Sequence, residues 1–286
     1  MNRSLSKNEA KVVLGLEWAG KTTARIDDVR SALGASDAYA RFVAYRLVKK
    51  GWLERLRPGL YQLVPADRGL EAAGDMNPLA AGSELVAPYF YSFGTACTHY
   101  GFTEQVFQEV YIACLARRRP VVMRGMRYVF AAVQAARFFG FREVSVLGKP
   151  VQMATPERTL LDAVDRPNLA GGVGELAHVV GRSASRVSWE VLLEEAARFG
   201  SAAVVQRLGC LLDVQRAAIP NRIRAGLERL CRPGGRIYLA PVGRWGTTGP
   251  VSRPWNVVLN LPVAVLEPPS PRTLFPYKRR TVTRDR

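Results

Sequence analysis

The chain has 286 residues, 48% of them apolar, with 41 Lys and Arg against 24 Asp and Glu, a formal charge of +17 and a pI of about 10.3. That length suggests about two domains. No run is apolar enough to span a bilayer, and the basic start MNRSLSKNEAK leads into no secretory-type stretch, which excludes the transmembrane and exported classes and predicts a cytoplasmic protein with no membrane partner.

Taken in order, Ser6 to Ala19 reads as a first helix. Ser6 and Glu9 have capping-box spacing, and Val12, Val13, Leu16 and Ala19 make an apolar stripe. Ile26 to Leu33 reads as a second helix, with Ile26, Val29, Ala32 and Leu33 inward. Gly34-Ala35-Ser36 is the turn before a third. Asp37 to Lys50 lacks Pro and Gly and repeats Ala40, Val43, Ala44 and Leu47 at helical steps. Ser36 or Asp37 caps its start, and Gly51 ends it. Trp52 to Leu56 and Leu60 to Val64 then alternate as strands around the turn Arg57-Pro58-Gly59.

Three helices followed by a small basic hairpin are the pattern of a winged helix-turn-helix over residues 1–66. Its third helix enters the major groove and its wing touches the flanking backbone. With the apolar stripe inward, the outward face carries Arg41, Tyr45 and Lys49, flanked by Phe42 and Arg46, with Ser36 at its start. The wing adds Arg55 and Arg57. Arg fits guanine and phosphate bidentately, and Tyr can hydrogen-bond phosphate. A charged stripe alone would describe any solvated helix face; the wing turn and the upstream helices favour DNA. The positive field as a whole draws polyanions, double-stranded DNA before an anionic membrane surface.

Residues 67–82 change texture to Gly, Ala and Asp and read as a connector. From Ser83 the pattern is mixed. Ser92 to Tyr100 looks helical. Val110 to Leu115, Pro120 to Met123, Arg127 to Ala131, Val144 to Leu147 and Val151 to Ala154 read as strands, with turns at Arg124-Gly125 and at Gly148-Lys149-Pro150. Helices follow. Thr155-Pro156 opens one, and Gly174 to Val180, Trp189 to Phe199, Ala202 to Val214 and Ile223 to Cys231 are others. Ile237 to Ala240 and Val257 to Leu261 return as strands. Grouped strands and grouped helices indicate α+β: a winged helix-turn-helix, then a mixed domain over residues 83–261 with a mainly antiparallel sheet and several helices. Residues 262–286 are rich in Pro and basic residues and read as a tail.

Chemistry-bearing sets are sparse. Cys97, Cys114, Cys210 and Cys231 lie far apart without a C-x-x-C, and His99 and His178 lack H-x-H or H-x-x-E partners, so reduced buried thiols and no metal are expected. No phosphate-loop motif occurs, and no cofactor is implied. Glu157 and Asp162 do not share a helix face; pairing of Glu157 with an Arg is the expected role. Glu143 and Lys149 lack the second carboxylate of a nuclease set, so no enzyme is expected. Arg117, Arg118 and Arg119 follow a strand, with Arg124 and Arg127 near in sequence across a hairpin. They form a second candidate anion or DNA site, against a surface for an acidic or RNA-bound partner, or a solvated turn.

The segments GWLERLRPGLYQLVP, YSFGTACTHYGFTEQ, VQMATPERTLLDAVDRP, AAVVQRLGCLLD and WNVVLNLP, in that order, resemble the AbiEi family, antitoxins of type IV abortive-infection toxin–antitoxin systems. Here Tyr100 separates His99 from Gly101, a departure from the family's His–Gly pair. The resemblance implies an amino-terminal winged helix that represses its own operon at inverted repeats. It also implies a carboxy-terminal domain that counters a toxin with a nucleotidyltransferase fold, without needing a stable complex. A winged-helix regulator with an effector-binding or dimerisation domain is the alternative.

Overall fold

The structure, a computed structural model, describes residues 4–64, 77–231 and 235–267. The expected connector falls mostly outside the described residues, as do residues 268–286 of the expected tail. Residues 262–267, expected in that tail, instead hold a 3-10 turn at Val263–Val265 and a buried Leu266, whose carbonyl accepts from Gln215 at 2.6 Å. The chain divides into two compact units, Met1–Tyr100 with Glu104–Asp162, and Gly101–Thr103 with Ala163–Arg286.

The first unit opens with α1 (Lys7–Trp18), β1 (Thr23–Arg25), α2 (Ile26–Leu33), α3 (Asp37–Lys49), β2 (Leu53–Arg57) and β3 (Leu60–Leu63). The Ser6–Glu9 capping box forms, with Ser6 N donating to Glu9 Oε2 at 2.7 Å. Val12, Val13 and Leu16 of α1 pack with Val29, Ala40, Val43, Ala44 and Leu47 into one core. Ala19, expected in that stripe, is exposed because α1 ends at Trp18. The wing is a three-stranded sheet of order β1-β3-β2. Its third strand, β1, is only TAR, too short for an alternation to show.

The same unit continues through α4 (Pro78–Ser83), β4 (Tyr89–Tyr91), α5 (Phe93–His99), β5 (Glu109–Cys114), β6 (Val121–Met123), β7 (Met126–Ala132), β8 (Phe141–Val146) and β9 (Lys149–Ala154) into α6 (Pro156–Asp165). These strands form one sheet of order β6-β7-β5-β4-β9-β8. Three neighbouring pairs, β4/β5, β6/β7 and β8/β9, are antiparallel; β5/β7 and β4/β9 are parallel. The two predicted hairpins are present. The second turns at Leu147-Gly148, one step before the predicted position, because both residues hold positive φ and Lys149 already pairs with Val146.

The second unit holds α7 (Gly172–Ser183), α8 (Trp189–Phe199), α9 (Ala202–Val214) and α10 (Asn221–Leu230). A small sheet follows, built from β10 (Ile237–Tyr238), β11 (Val251–Ser252) and β12 (Val257–Val258), with α11 (Val242–Trp245) between its first two strands. Its strand order is β10-β12-β11, with β10/β12 parallel. Trp255 is fully buried, and its indole lies against Gly209 of α9, where a Cβ would meet the ring at 2.3 Å. Two of the segments quoted above, AAVVQRLGCLLD and WNVVLNLP, meet at this contact.

Candidate nucleic-acid interface

Helix α3 presents a basic and aromatic face to solvent. Ser36 caps it, its Oγ accepting from Tyr39 N at 3.4 Å. Ala40, Val43, Ala44 and Leu47 are buried, which turns Arg41, Phe42, Tyr45, Arg46 and Lys49 to solvent. Two of these are large apolar rings left half exposed, Phe42 at 52% and Tyr45 at 57%. Lys49 Nζ lies 5.7 Å from the Tyr45 ring centre, and Arg46 Cζ lies 5.9 Å from that of Phe42. Cations backed by aromatic rings suit a phosphate-lined groove.

The residues of this face are not equivalent. Arg41 pairs with Asp37 one turn earlier, at 2.7 Å on the open surface, a contact easily exchanged for DNA. Arg46 instead reaches back 3.0 Å to Glu9 on α1, and Lys50 reaches the same carboxylate at 2.6 Å. Glu9 is buried. Burial works to raise its pKa, but the hydrogen bonds from Lys50 and Ser6 outweigh that and hold it at about 2. Arg46 therefore belongs partly to the brace that sets α3 against α1.

On the wing, Arg55 is exposed. A register shift between Arg55 and Arg57 breaks the alternation of β2, so the two arginines are placed differently. Arg57 is half-buried, and its Nε has no hydrogen-bond partner among the described residues. Burial disfavours its charge, and Arg25 and Arg118 add repulsion, so its pKa is lowered. The fold thus brings the wing toward the arginine run that follows β5. Arg25 ends strand β1, and sequence reasoning misses it for the same reason that it misses the strand.

The second candidate site is divided. Arg117, Arg118 and Arg119 are exposed. Arg124 Nε donates to Glu54 of the wing at 2.5 Å, and Arg127 pairs with Glu109. Two of the five guanidiniums are therefore compensated by carboxylates, which leaves Arg117, Arg118 and Arg119 of the candidate set. Arg118 lies in charge range of Arg57, whereas Arg25 is itself paired with Glu84 at 2.8 Å.

The other sequence candidates have packing roles. His99 lies edge-on to Tyr100 at 4.8 Å, and its pKa is lowered by burial and then by Arg142. Tyr100, the residue inserted before Gly101, donates its hydroxyl to Ala154 O at 2.7 Å. His178 Nδ1 stands 3.6 Å from Glu175. Lys149 donates to the Gly20 carbonyl beside α1. On α6 Asp162 pairs with Arg158, at 2.9 Å and buried. All four cysteines are free, three of them buried. Among the described residues no group of three His, Cys, Asp or Glu could hold a metal, and no helix is long and apolar enough to cross a membrane.

Two known family models match the chain. One described as "Transcriptional regulator, AbiEi antitoxin" matches residues 16–64, within the winged helix, and one described as "AbiEi antitoxin C-terminal domain" matches residues 90–214. The chain belongs to the AbiEi antitoxin family. Of solved structures, the RV2827C protein from Mycobacterium tuberculosis is similar at a TM-score of 0.65 and 19% identity, over 93% of this chain and 95% of that one. That likeness is one of fold. No curated protein matches the chain. As an AbiEi antitoxin with a regulator domain, the protein is a DNA-binding member of a toxin–antitoxin system.

Proposed function

We propose that this AbiEi antitoxin represses its own operon by binding double-stranded DNA, and that it neutralises a toxin of nucleotidyltransferase fold in the cytoplasm. Residues 1–66 bind the promoter through inverted repeats. Arg41 and Tyr45 read the groove, Phe42 and Lys49 flank them, Arg55 contacts backbone, and Arg46 both contacts DNA and braces α3. Ser36 places its helix start against phosphate. Residues 83–261 oppose the toxin without a stable complex and without chemistry of their own. The observation that carries the DNA reading is the face of α3, where arginine, lysine and half-exposed aromatic rings occupy every outward turn beside a basic wing.

Arg117, Arg118 and Arg119 extend the same footprint. Arg118 lies in charge range of Arg57 on the wing, so one polyanion lying across both elements would relieve their mutual repulsion, which supports this reading.

The test is growth. The neighbouring gene is expressed in a heterologous host with the full antitoxin and with an Arg41→Ala, Arg55→Ala double variant. Relief of toxicity by both, together with loss of promoter repression in the variant, supports two separable activities. Toxicity that neither relieves removes the antitoxin activity proposed for this toxin class and leaves a regulator.

A further inference from the structure

In the helical unit an arginine stands where little else is charged. Helix α9, AAVVQRLGCLLDV, has only Arg207 and Asp213 as ionised residues, and Val204, Val205, Leu208, Cys210 and Leu211 around them are buried. Asp213 is fully engaged: Trp255 Nε1 donates to one oxygen at 2.7 Å and Arg224 to the other at 2.5 Å. Arg207 has no such pairing. Its Nε donates to the Tyr238 carbonyl on β10 at 3.2 Å. Among the described residues it makes no ion pair and no other hydrogen bond. Burial lowers its pKa, and the charge of Asp165 offsets this in part. A half-buried guanidinium whose remaining donors face a pocket is placed to hold a ligand's anionic group.

Arg207 lines a pocket of about 420 Å³ whose other walls include Asp165, Val173, Arg236, Tyr238 and Pro241. Arg236 is exposed, and Tyr238 is half-buried on the edge strand β10. The volume falls within the range of small-molecule sites. Two guanidiniums supply the fork-shaped donors that match phosphate oxygens. The tyrosine ring, the proline and the valine supply a flat apolar surface, and the carboxylate can accept from ligand hydroxyls.

We propose that this pocket binds a small phosphate-bearing ligand of nucleoside-monophosphate size, its phosphate held by Arg207 and Arg236 and its ring against Tyr238. The proposed DNA face does not use these residues, and the toxin-opposing span contains them without a role assigned to any. The site would let the antitoxin unit respond to a soluble signal.

The test is calorimetric titration of the full-length protein with adenosine monophosphate, inorganic phosphate and adenosine. Arg236→Ala is exposed and should fold normally. Arg207→Gln keeps an N–H for the Tyr238 carbonyl while removing the charge. Arg55→Ala, on the wing, is the control. The expected result is binding of the monophosphate, weakened at least about tenfold by either pocket variant and by loss of the phosphate, and unchanged in Arg55→Ala. If Arg207→Gln does not fold, Arg236→Ala decides alone. No heat from the monophosphate or from phosphate at millimolar concentration overturns the proposal. So does equal binding of adenosine, or binding that Arg55→Ala abolishes and Arg236→Ala does not, which would assign the phosphate to the DNA face.

Discussion

The Ser92 hydroxyl donates to the Asp162 carboxylate at 2.6 Å, and both residues are sealed from solvent. They come from two of the motifs that carry the family resemblance, YSFGTACTHYG and TPERTLLD, and stand 70 residues apart in sequence. Arg158 completes the group. It pairs with Asp162 at 2.9 Å, donates to the Arg137 carbonyl at 2.6 Å and that of Phe139 at 3.1 Å, and stacks near the Phe90 and Phe139 rings. A buried charge is tolerated only with such a counter-charge and hydrogen bonds beside it.

Removing the carboxylate should therefore be severe. Asp162→Ala leaves a fully buried guanidinium without its counter-charge, and the expected loss is about 3–5 kcal/mol in urea unfolding. Ser92→Ala removes one hydrogen bond to a charged group and should lose about 1.5–3 kcal/mol. A smaller loss for Asp162→Ala than for Ser92→Ala would show that the ion pair is not what stabilises α6.

The brace at Glu9 predicts an acid dependence. Its folded-state pKa, about 2, lies below its ordinary 4.5. A group depressed on folding contributes stability above its unfolded pKa and loses it as the carboxylate is protonated. The winged helix should therefore weaken as pH falls from about 4.5 toward 2, by roughly 1–3 kcal/mol once solvent screening at Arg46 is allowed for. Glu9→Gln should be less stable at neutral pH and should flatten this part of the pH profile. Thermal melts between pH 2 and pH 7 measure both, and parallel profiles for the two proteins would exclude the brace.

Gly209 faces the Trp255 indole with no room for a methyl group. Helix propensity alone would make Gly209→Ala stabilising by about 1 kcal/mol. Overpacking should reverse that sign and destabilise by about 1–3 kcal/mol. The Trp255 fluorescence of the variant should shift as the ring is displaced; a stabilised variant would mean that the indole yields freely.

On DNA, Arg41→Ala should lose about 1–3 kcal/mol of specific binding. Replacing Arg117, Arg118 and Arg119 together should weaken specific and random DNA alike and reduce the salt slope by about one for each phosphate no longer neutralised. Binding titrations across salt concentration separate the two. An unchanged slope in the triple variant would confine the footprint to α3 and the wing.

The winged helix is legible in the sequence because its signals are local. A capping box, a helical stripe and Pro58-Gly59 each act over a few residues. The hairpins β6/β7 and β8/β9 are legible for the same reason. The parallel pairings are not: Tyr91 aligns with Met153 across intervening elements that no alternation reveals. The candidate face of α3 follows from its buried stripe, but the separate duties of Arg41 and Arg46 do not, since Glu9 reaches Arg46 only through the packing of α1. Likewise Arg124 and Arg127 read as free cations until the fold supplies Glu54 and Glu109. The pocket at Arg207 gives no signal, because its walls come from helices and an edge strand that are far apart in the chain.

Within the first unit the winged helix is tied to the sheet and its flanking helix at three points: Arg25 to Glu84 at 2.8 Å, Glu54 to Arg124, and Lys149 to the Gly20 carbonyl. Each contact is exposed and worth little by itself, but together they favour one bearing of α3 relative to the strands behind it. In the DNA reading proposed above, the bearing of α3 along a duplex would also orient the sheet, and a half-site displaced by a few base pairs would rotate both about the DNA axis together.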